Sequence, residues 1–256
     1  MQRRWHLLRH FVRQDLAQRY AGQLTGLAWI ALAPLLQLAL FTLVFGYIFK
    51  ARVPGLEGGG YVAFLALGMW PWFAFSEAVT RAASAVTDHI GLLNKVAVPP
   101  EVLIAARVAT PFLLHATGFV LVLGAIVALG TPLHFAGLPA VLAAWLVLLL
   151  LALAVGTLAA VLQVFVRDLA QLVAYLLTAW MFLSPVLYTR EMSPAAMQGW
   201  MQVNPIAGIV ESAREPLLFG RWDAPGLLVA AIGATVVAAI AIVLFRRVRP
   251  HLHDFL

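Results

Sequence analysis

Between Val108 and Val166 the chain contains no aspartate, glutamate, lysine or arginine. A soluble domain carries about 25% charged residues, spread so that its surface meets water. A charge-free stretch this long has no such surface to offer. It also exceeds one bilayer crossing, because about 20 apolar residues in a helix cover the ~30 Å hydrocarbon layer. The Gly130–Gly137 segment, with Pro132 and His134, divides it into two spans, about Val108–Leu129 and Leu138–Phe165.

Four more apolar runs of spanning length follow from the same reading: Leu27–Phe49, stopped by Lys50 and Arg52; Tyr61–Val79, entered from the Gly58-Gly59-Gly60 turn; Leu169–Tyr188; and Pro225–Phe245, ended by Arg246-Arg247 and Arg249. The expected fold class is therefore an all-α integral membrane protein with six transmembrane helices. Composition agrees, at 63% hydrophobic and 11% charged residues. The net charge of +6 would suggest nucleic acid on a soluble face, but the basic residues sit between apolar runs, where they set topology instead. With both ends inside, the cytoplasmic side holds five basic residues before span one, three between spans two and three, Arg167, and three at the C-terminus. That is twelve of the 17. The asymmetry predicts a multi-pass membrane protein with both termini cytoplasmic. Met1–Tyr20 lacks the continuous apolar core of a cleavable signal, so insertion is expected to use the first span.

Three connecting segments stand out. Met1–Tyr20 carries Arg3, Arg4, Arg9, Arg13 and Arg19, and as a helix would align Trp5, Leu8, Val12 and Leu16. It reads as an interfacial helix in the headgroup layer or as a plain basic anchor. Arg81–Arg107 is mixed and polar, with Asp88, His89, Asn94, Lys95 and Glu101 around Pro99-Pro100; just before it, Glu77 and Arg81 are spaced to pair on one helix face. Thr189–Ala224 mixes charges with apolar pieces too short to span, broken by Pro194, Pro205 and Pro216. Such pieces suit external re-entrant helices between spans five and six, provided protein buries their irregular backbone; the alternative is an external loop.

Several chemistries lack their residues. The absence of cysteine excludes disulfides and thiolate metal sites. Neither G-x-x-x-x-G-K-[ST], H-E-x-x-H nor G-x-S-x-G occurs, so no P-loop, zincin or serine elbow is expected, and no metal or other cofactor in this chain. The centres of the six spans are uncharged, which argues against ion-coupled transport. His115 is the one histidine within a span and has no acidic partner on its own helix; it reads as a packing residue or a proton relay. Trp29, Trp70, Trp72, Phe73, Phe75, Tyr188 and Trp200 lie near proposed span ends. They form either an aromatic interface belt or, in part, the wall of a pore whose rings stack on sugars.

An ordered set of short motifs runs through nearly the whole chain. It opens with Asp15-Leu16-x-x-Arg19-Tyr20-x-Gly22-x-x-x-Gly26-x-x-Trp29-x-x-x-x-Pro34, then Phe41-x-x-Val44-Phe45-Gly46 and Gly68-x-x-Pro71-Trp72. Asn94-Lys95-x-x-x-Pro99-x-Glu101-x-Leu103, Arg167-Asp168-Leu169, Ser184-Pro185-Val186-x-Tyr188, Asn204-Pro205 and Arg214 follow. The set resembles the ABC type-2 permeases that export polysaccharides, a family that includes O-antigen, capsule and teichoic acid exporters. Two positions depart from the family pattern: Val96 and Pro100 stand where basic residues are common.

The resemblance implies one type-2 transmembrane domain over residues 1–256, with a cytoplasmic interfacial segment at 1–22, a cytoplasmic coupling loop at 81–107 and an external re-entrant segment at 189–224. It implies a homodimeric, non-enzymatic permease working with two copies of a separate ATPase, which binds the ATP and Mg, and exporting a lipid-linked polysaccharide such as O-antigen. Membrane lipids are the other expected partner, and nucleic acid is not one. Asp88, Asn94, Lys95 and Glu101 become candidates for the ATPase contact. Arg19, Tyr20, Gly22, Pro34, Arg167, Asp168, Pro185, Asn204, Pro205 and Arg214 become structural motif positions. The alternatives are a type-2 exporter of a drug-like or other small amphipathic molecule, and a non-transporting intramembrane enzyme or scaffold.

Overall fold

The computed structural model describes residues 2–20, 28–49, 60–93, 98–166 and 168–251, and among these every regular element is helical. In chain order the α-helices are α1 (Gln2–Tyr20), α2 (Ala28–Phe41), α3 (Gly60–Ala83), α4 (Ile90–Leu93), α5 (Pro100–Ala128), α6 (Leu138–Phe165), α7 (Leu169–Phe182), α8 (Ala195–Val203), α9 (Pro205–Phe219) and α10 (Ala224–Val248). The expected residues Gly22, Asn94, Lys95 and Arg167, and the side chain of Tyr20, lie outside what is described.

Among the described residues four helices are long and apolar enough to cross a membrane: α3, α5, α10, and α6 with the short turn Phe135–Gly137 that leads into it. At about 1.5 Å per residue, each exceeds the ~30 Å of hydrocarbon. Two further expected spans are shorter as α-helix. α2 continues as a π-helical stretch, Thr42–Ile48, and α7 ends at Phe182, short of the expected limit at Tyr188. The third span also begins earlier than expected. Its helix starts at Pro100, because proline at the first helical position needs no backbone N–H partner and already holds a helical φ. Residues Glu101–Arg107 are therefore helical and not part of a polar loop.

Burial and hydropathy vary together across the bundle. α3 is the central helix, packed against α5, α6, α7 and α9. Within its most apolar stretch 83% is buried, against 22% for α10, yet its mean hydropathy is 1.4 against 2.9 for α10. An inner helix satisfies its less apolar groups on its neighbours, whereas an outer one must dissolve in lipid on its free face. α6 packs on α10 and α9, α2 lies on α5, and α1 lies across α5. Pro71 interrupts the backbone hydrogen bonding of α3 midway, since it has no N–H to donate to the Leu67 carbonyl.

Two short helices, α8 and α9, meet at Asn204 and fill the Thr189–Ala224 segment. α9 is buried almost throughout, from Ile206 to Leu218, against α3, α6 and α10. It ends at Gly220, whose φ of 65° lies in the left-handed region that glycine adopts without steric penalty. Asp223 then caps α10, its Oδ1 accepting from the Gly226 N–H at 3.1 Å.

Gly68 sets the distance between α3 and this region. A Cβ there would lie 2.9 Å from the Val186 carbonyl oxygen and 3.2 Å from the Arg214 guanidinium. Gly124, by contrast, faces open space. Gly68→Val is expected to cost about 1–3 kcal/mol by overpacking, read as a lower thermal midpoint of the purified protein in detergent, while Gly124→Ala, in a helix interior with room for the methyl, leaves the midpoint unchanged or raises it.

Candidate functional site

The polar groups of the bundle gather at the two ends of α3, roughly 20 Å apart along its axis. At its C-terminal end, α1 contributes Asp15 and Arg19 one turn apart, and α3 contributes Glu77 and Arg81 with the same spacing. The helices pair these charges crosswise. Asp15 Oδ1 accepts from Arg81 at 2.5 Å and from Arg107 of α5 at 3.0 Å, while Arg19 donates to both oxygens of Glu77. Arg81 also lies 3.8 Å from Glu77 along its own helix, the pairing anticipated from spacing, but its shorter partner is on α1. His115 is not isolated as its own helix suggests: its Nε2 lies 2.9 Å from Glu77 Oε2, so the acidic partner comes from α3.

The web extends outward. Arg107 reaches Asp88 at 3.5 Å, and Ser84 donates to Asp88 at 2.9 Å. Glu101 lies between Arg4 of α1, at 3.6 Å, and Arg249 beyond α10, at 3.5 Å. α1 is thus attached to the bundle by charge and by Phe11, which meets His89 edge-on, while Trp5 of the expected apolar row stays exposed.

The other end of α3 holds a second knot, and several short motifs meet in it. Asn204 Oδ1 accepts from the Ile206 N–H at 3.1 Å, capping α9, and from Trp180 Nε1 of α7 at 3.0 Å. Its Nδ2 donates to Ser184 Oγ at 2.8 Å, and Ser184 donates to the Trp180 carbonyl at 2.7 Å. Pro205 occupies the first turn of α9, where no N–H is needed. Arg214 is 1% exposed; it lies 3.5 Å from the Phe64 ring centre and donates to the Pro185 carbonyl at 3.2 Å and the Val186 carbonyl at 3.4 Å. A guanidinium keeps its charge when buried, and carbonyl dipoles with a ring face replace the water it loses. Nearby, Arg190 pairs with Glu211 at 2.8 Å. Outside the membrane-facing helices, the Glu191 carboxyl sits below its ordinary range, chiefly through a hydrogen bond from the Thr189 side chain.

Between the two knots a cleft of about 630 Å³ opens among α1, α2, α3, α5 and α7. Trp29, Trp70, Trp72 and Phe73 line it, together with Pro34, Gln37, Ser76 and Thr80 and the charged groups Arg19, Glu77, Arg81 and His115. Four of the seven aromatic candidates therefore converge. An interface belt does not describe Trp70, Trp72 and Phe75, which are 2%, 4% and 0% exposed inside the bundle. Phe75 packs on Trp72 and Trp180, away from the cleft lining. Trp29, 38% exposed, and the partly buried Phe73 present the accessible ring surface. Tyr188 and Trp200 lie elsewhere, donating to the Phe182 carbonyl at 2.8 Å and the Leu183 carbonyl at 3.1 Å. Asp168 precedes α7 and accepts the Leu172 N–H at 3.3 Å through its backbone carbonyl.

The aromatic convergence is a tertiary result that spacing along one chain does not reveal. The polar members Gln37, Ser76 and Thr80 carry no signal in the sequence for the same reason. The crosswise charge pairing did leave a trace, in two i,i+4 pairs of complementary sign on α1 and α3.

Residues 6–218 match the family described as ABC-2 type transporter. An O-antigen export system permease protein of Myxococcus xanthus is 31% identical, over 80% of this chain and 78% of the relative. A polysialic acid transport protein of Escherichia coli is 23% identical over 81% and 79%, and an O-antigen export system permease protein of Klebsiella pneumoniae is 20% identical over 92% and 89%.

Asp15→Ala leaves Arg81 and Arg107 without their shared carboxylate and is expected to cost about 2–4 kcal/mol, with α1 becoming protease-sensitive before the rest of the bundle. Asn204→Ala removes the α9 cap and the acceptor of Trp180, with an expected loss of about 1–2 kcal/mol and a shift in tryptophan emission.

Proposed function

The chain belongs to the ABC-2 type transporter family as a multi-pass membrane permease, and we propose that it exports lipid-linked O-antigen or a similar cell-surface polysaccharide across the bacterial inner membrane. The observation that carries this reading is the convergence of Trp29, Trp70, Trp72 and Phe73 on one largely apolar cleft, with Leu114, Leu177 and Met181, into which Gln37, Ser76, Thr80 and the charged groups also reach. Aromatic faces suit the C–H faces of sugar rings, and polar side chains suit their hydroxyls. The names of the relatives point to the same cargo class.

In this reading the active unit is a homodimer with two copies of a separate ATPase, where ATP and Mg bind. Six crossings are made by α2 with its π-helical extension, α3, α5, α6, α7 and α10, with both termini cytoplasmic. α1 is the interfacial helix, and α8–α9 is an external re-entrant pair. The 81–107 segment docks on the ATPase through Asp88, Asn94, Lys95 and Glu101. The run of ion pairs from Asp88 through Arg107, Asp15 and Arg81 to Glu77 supports this assignment, because it joins the segment to the wall of the cleft.

Two measurements check the proposal. Deleting the gene is expected to abolish surface polysaccharide and leave glycan inside the cell, with display restored by the wild-type chain and reduced several-fold by Trp29→Ala combined with Phe73→Ala; unchanged display after deletion would refute it. The cysteine-free sequence also permits single-cysteine mapping. Arg9→Cys is expected to resist an impermeant maleimide in intact spheroplasts and Gln198→Cys to react; the reverse pattern would invert the topology.

A further inference from the structure

If the chain carries a glycan, as proposed above, the cleft lining says which kind of sugar it accommodates. We propose that the cleft holds an uncharged stretch of saccharide and discriminates against acidic sugars.

The first argument concerns hydroxyl protons. Thr80 donates to the Ser76 carbonyl at 2.8 Å, Ser76 to the Phe73 carbonyl at 3.4 Å, and Thr178 to the Ala174 carbonyl at 2.9 Å. A hydroxyl has one proton, and once that proton is committed to the helix only lone pairs remain. These three side chains, all at the cleft, therefore present acceptors to its interior. Sugar hydroxyls can donate to them, whereas a carboxylate or phosphate oxygen has no proton to give and meets like partial charge.

The second argument is charge balance. Arg19 and Arg81 line the cleft and would be the natural anion ligands. Arg19 is spent on Glu77, and Arg81 on Asp15. Arg107, behind them, shares Asp15 and reaches Asp88. Three guanidinium groups thus meet three carboxylates, with His115 also on Glu77, so the arginine charge that an incoming anion would seek is already balanced by neighbouring carboxylates. A neutral polyol loses nothing by this, since it carries no charge to be balanced and its hydroxyls can donate to the Glu77 carboxylate. Size is compatible too: about 630 Å³ lies within the range of sites that enclose drug-sized ligands, enough for a few sugar rings against Trp29 and Phe73.

The test uses the full-length chain in lipid nanodiscs and saturation-transfer NMR with soluble trisaccharides: maltotriose, mannotriose and galactotriose as neutral probes, and trigalacturonate as the acidic one. At least one neutral probe is expected to bind about fivefold or more tighter than trigalacturonate. Ser76→Ala with Thr178→Val, which removes acceptors without touching the ion pairs, should weaken neutral binding about threefold or more. Glu77→Gln, which removes one carboxylate from the charge balance, should reverse the preference toward trigalacturonate, an effect that mere loss of packing would not produce. If Glu77→Gln does not fold, the hydroxyl variant and the wild-type preference decide. Equal or tighter wild-type binding of trigalacturonate, failure of every neutral probe, or neutral binding indifferent to the hydroxyl variant would overturn the inference. Surface display after gene deletion separates the two levels. Lost display with the wrong sugar preference defeats only this inference, whereas intact display defeats the exporter reading itself.

Discussion

The structure turns on the burial of α3. A helix enclosed on most sides has no lipid or water to receive its polar groups, and an unpaired charge there is expensive. α3 accordingly keeps its middle apolar and delivers its polar contacts at its two ends. Around one end, α1 and α5 bring Asp15, Arg19, Arg107 and His115 to Glu77 and Arg81. Around the other, the turn after α7 and the buried α9 bring the Pro185 and Val186 carbonyls and Arg214 to Phe64 and Gly68. Every neighbour of α3 is placed by one of these two requirements or by the apolar packing between them.

This arrangement gives the scattered short motifs a common physical basis. Gly68, Ser184, Pro185, Asn204, Pro205 and Arg214 are far apart in the chain, and each fills a place in one hydrogen-bonded knot. Glycine is needed where a carbonyl and a guanidinium approach the helix, asparagine where one side chain must both cap a helix and bridge to Ser184, and arginine where a buried cation must keep its charge. The opening motif behaves alike: Asp15 and Arg19 are one turn apart because their partners Arg81 and Glu77 are also one turn apart.

Much of the fold was legible in the sequence. Charge-free runs located the four helices long enough to cross because charge is costly in the bilayer core, so each residue reports its environment without reference to its neighbours in space. The limits of the spans were less legible. Pro100 reads as a breaker within a polar loop, yet at the first position of a helix it is a starter, and only the packed structure distinguishes the two. The cleft was least legible. The sequence marks Trp70 and Trp72 as span-end aromatics, and their burial depends on α5 and α7 lying alongside. The acidic partner of His115 likewise sits on a different helix, beyond the reach of any periodicity argument.

Pro71 lies between the two polar knots, and its consequence is mechanical. With no N–H at that position, one of the backbone hydrogen bonds that resist bending of α3 is already absent there. The half of α3 bearing Phe64 and Gly68 and the half bearing Glu77 and Arg81 are therefore two stiff levers on a shared fulcrum, each clamped by its own polar knot. The cleft residues Trp70, Trp72 and Phe73 flank that fulcrum, so a change of angle there would re-aim the aromatic wall.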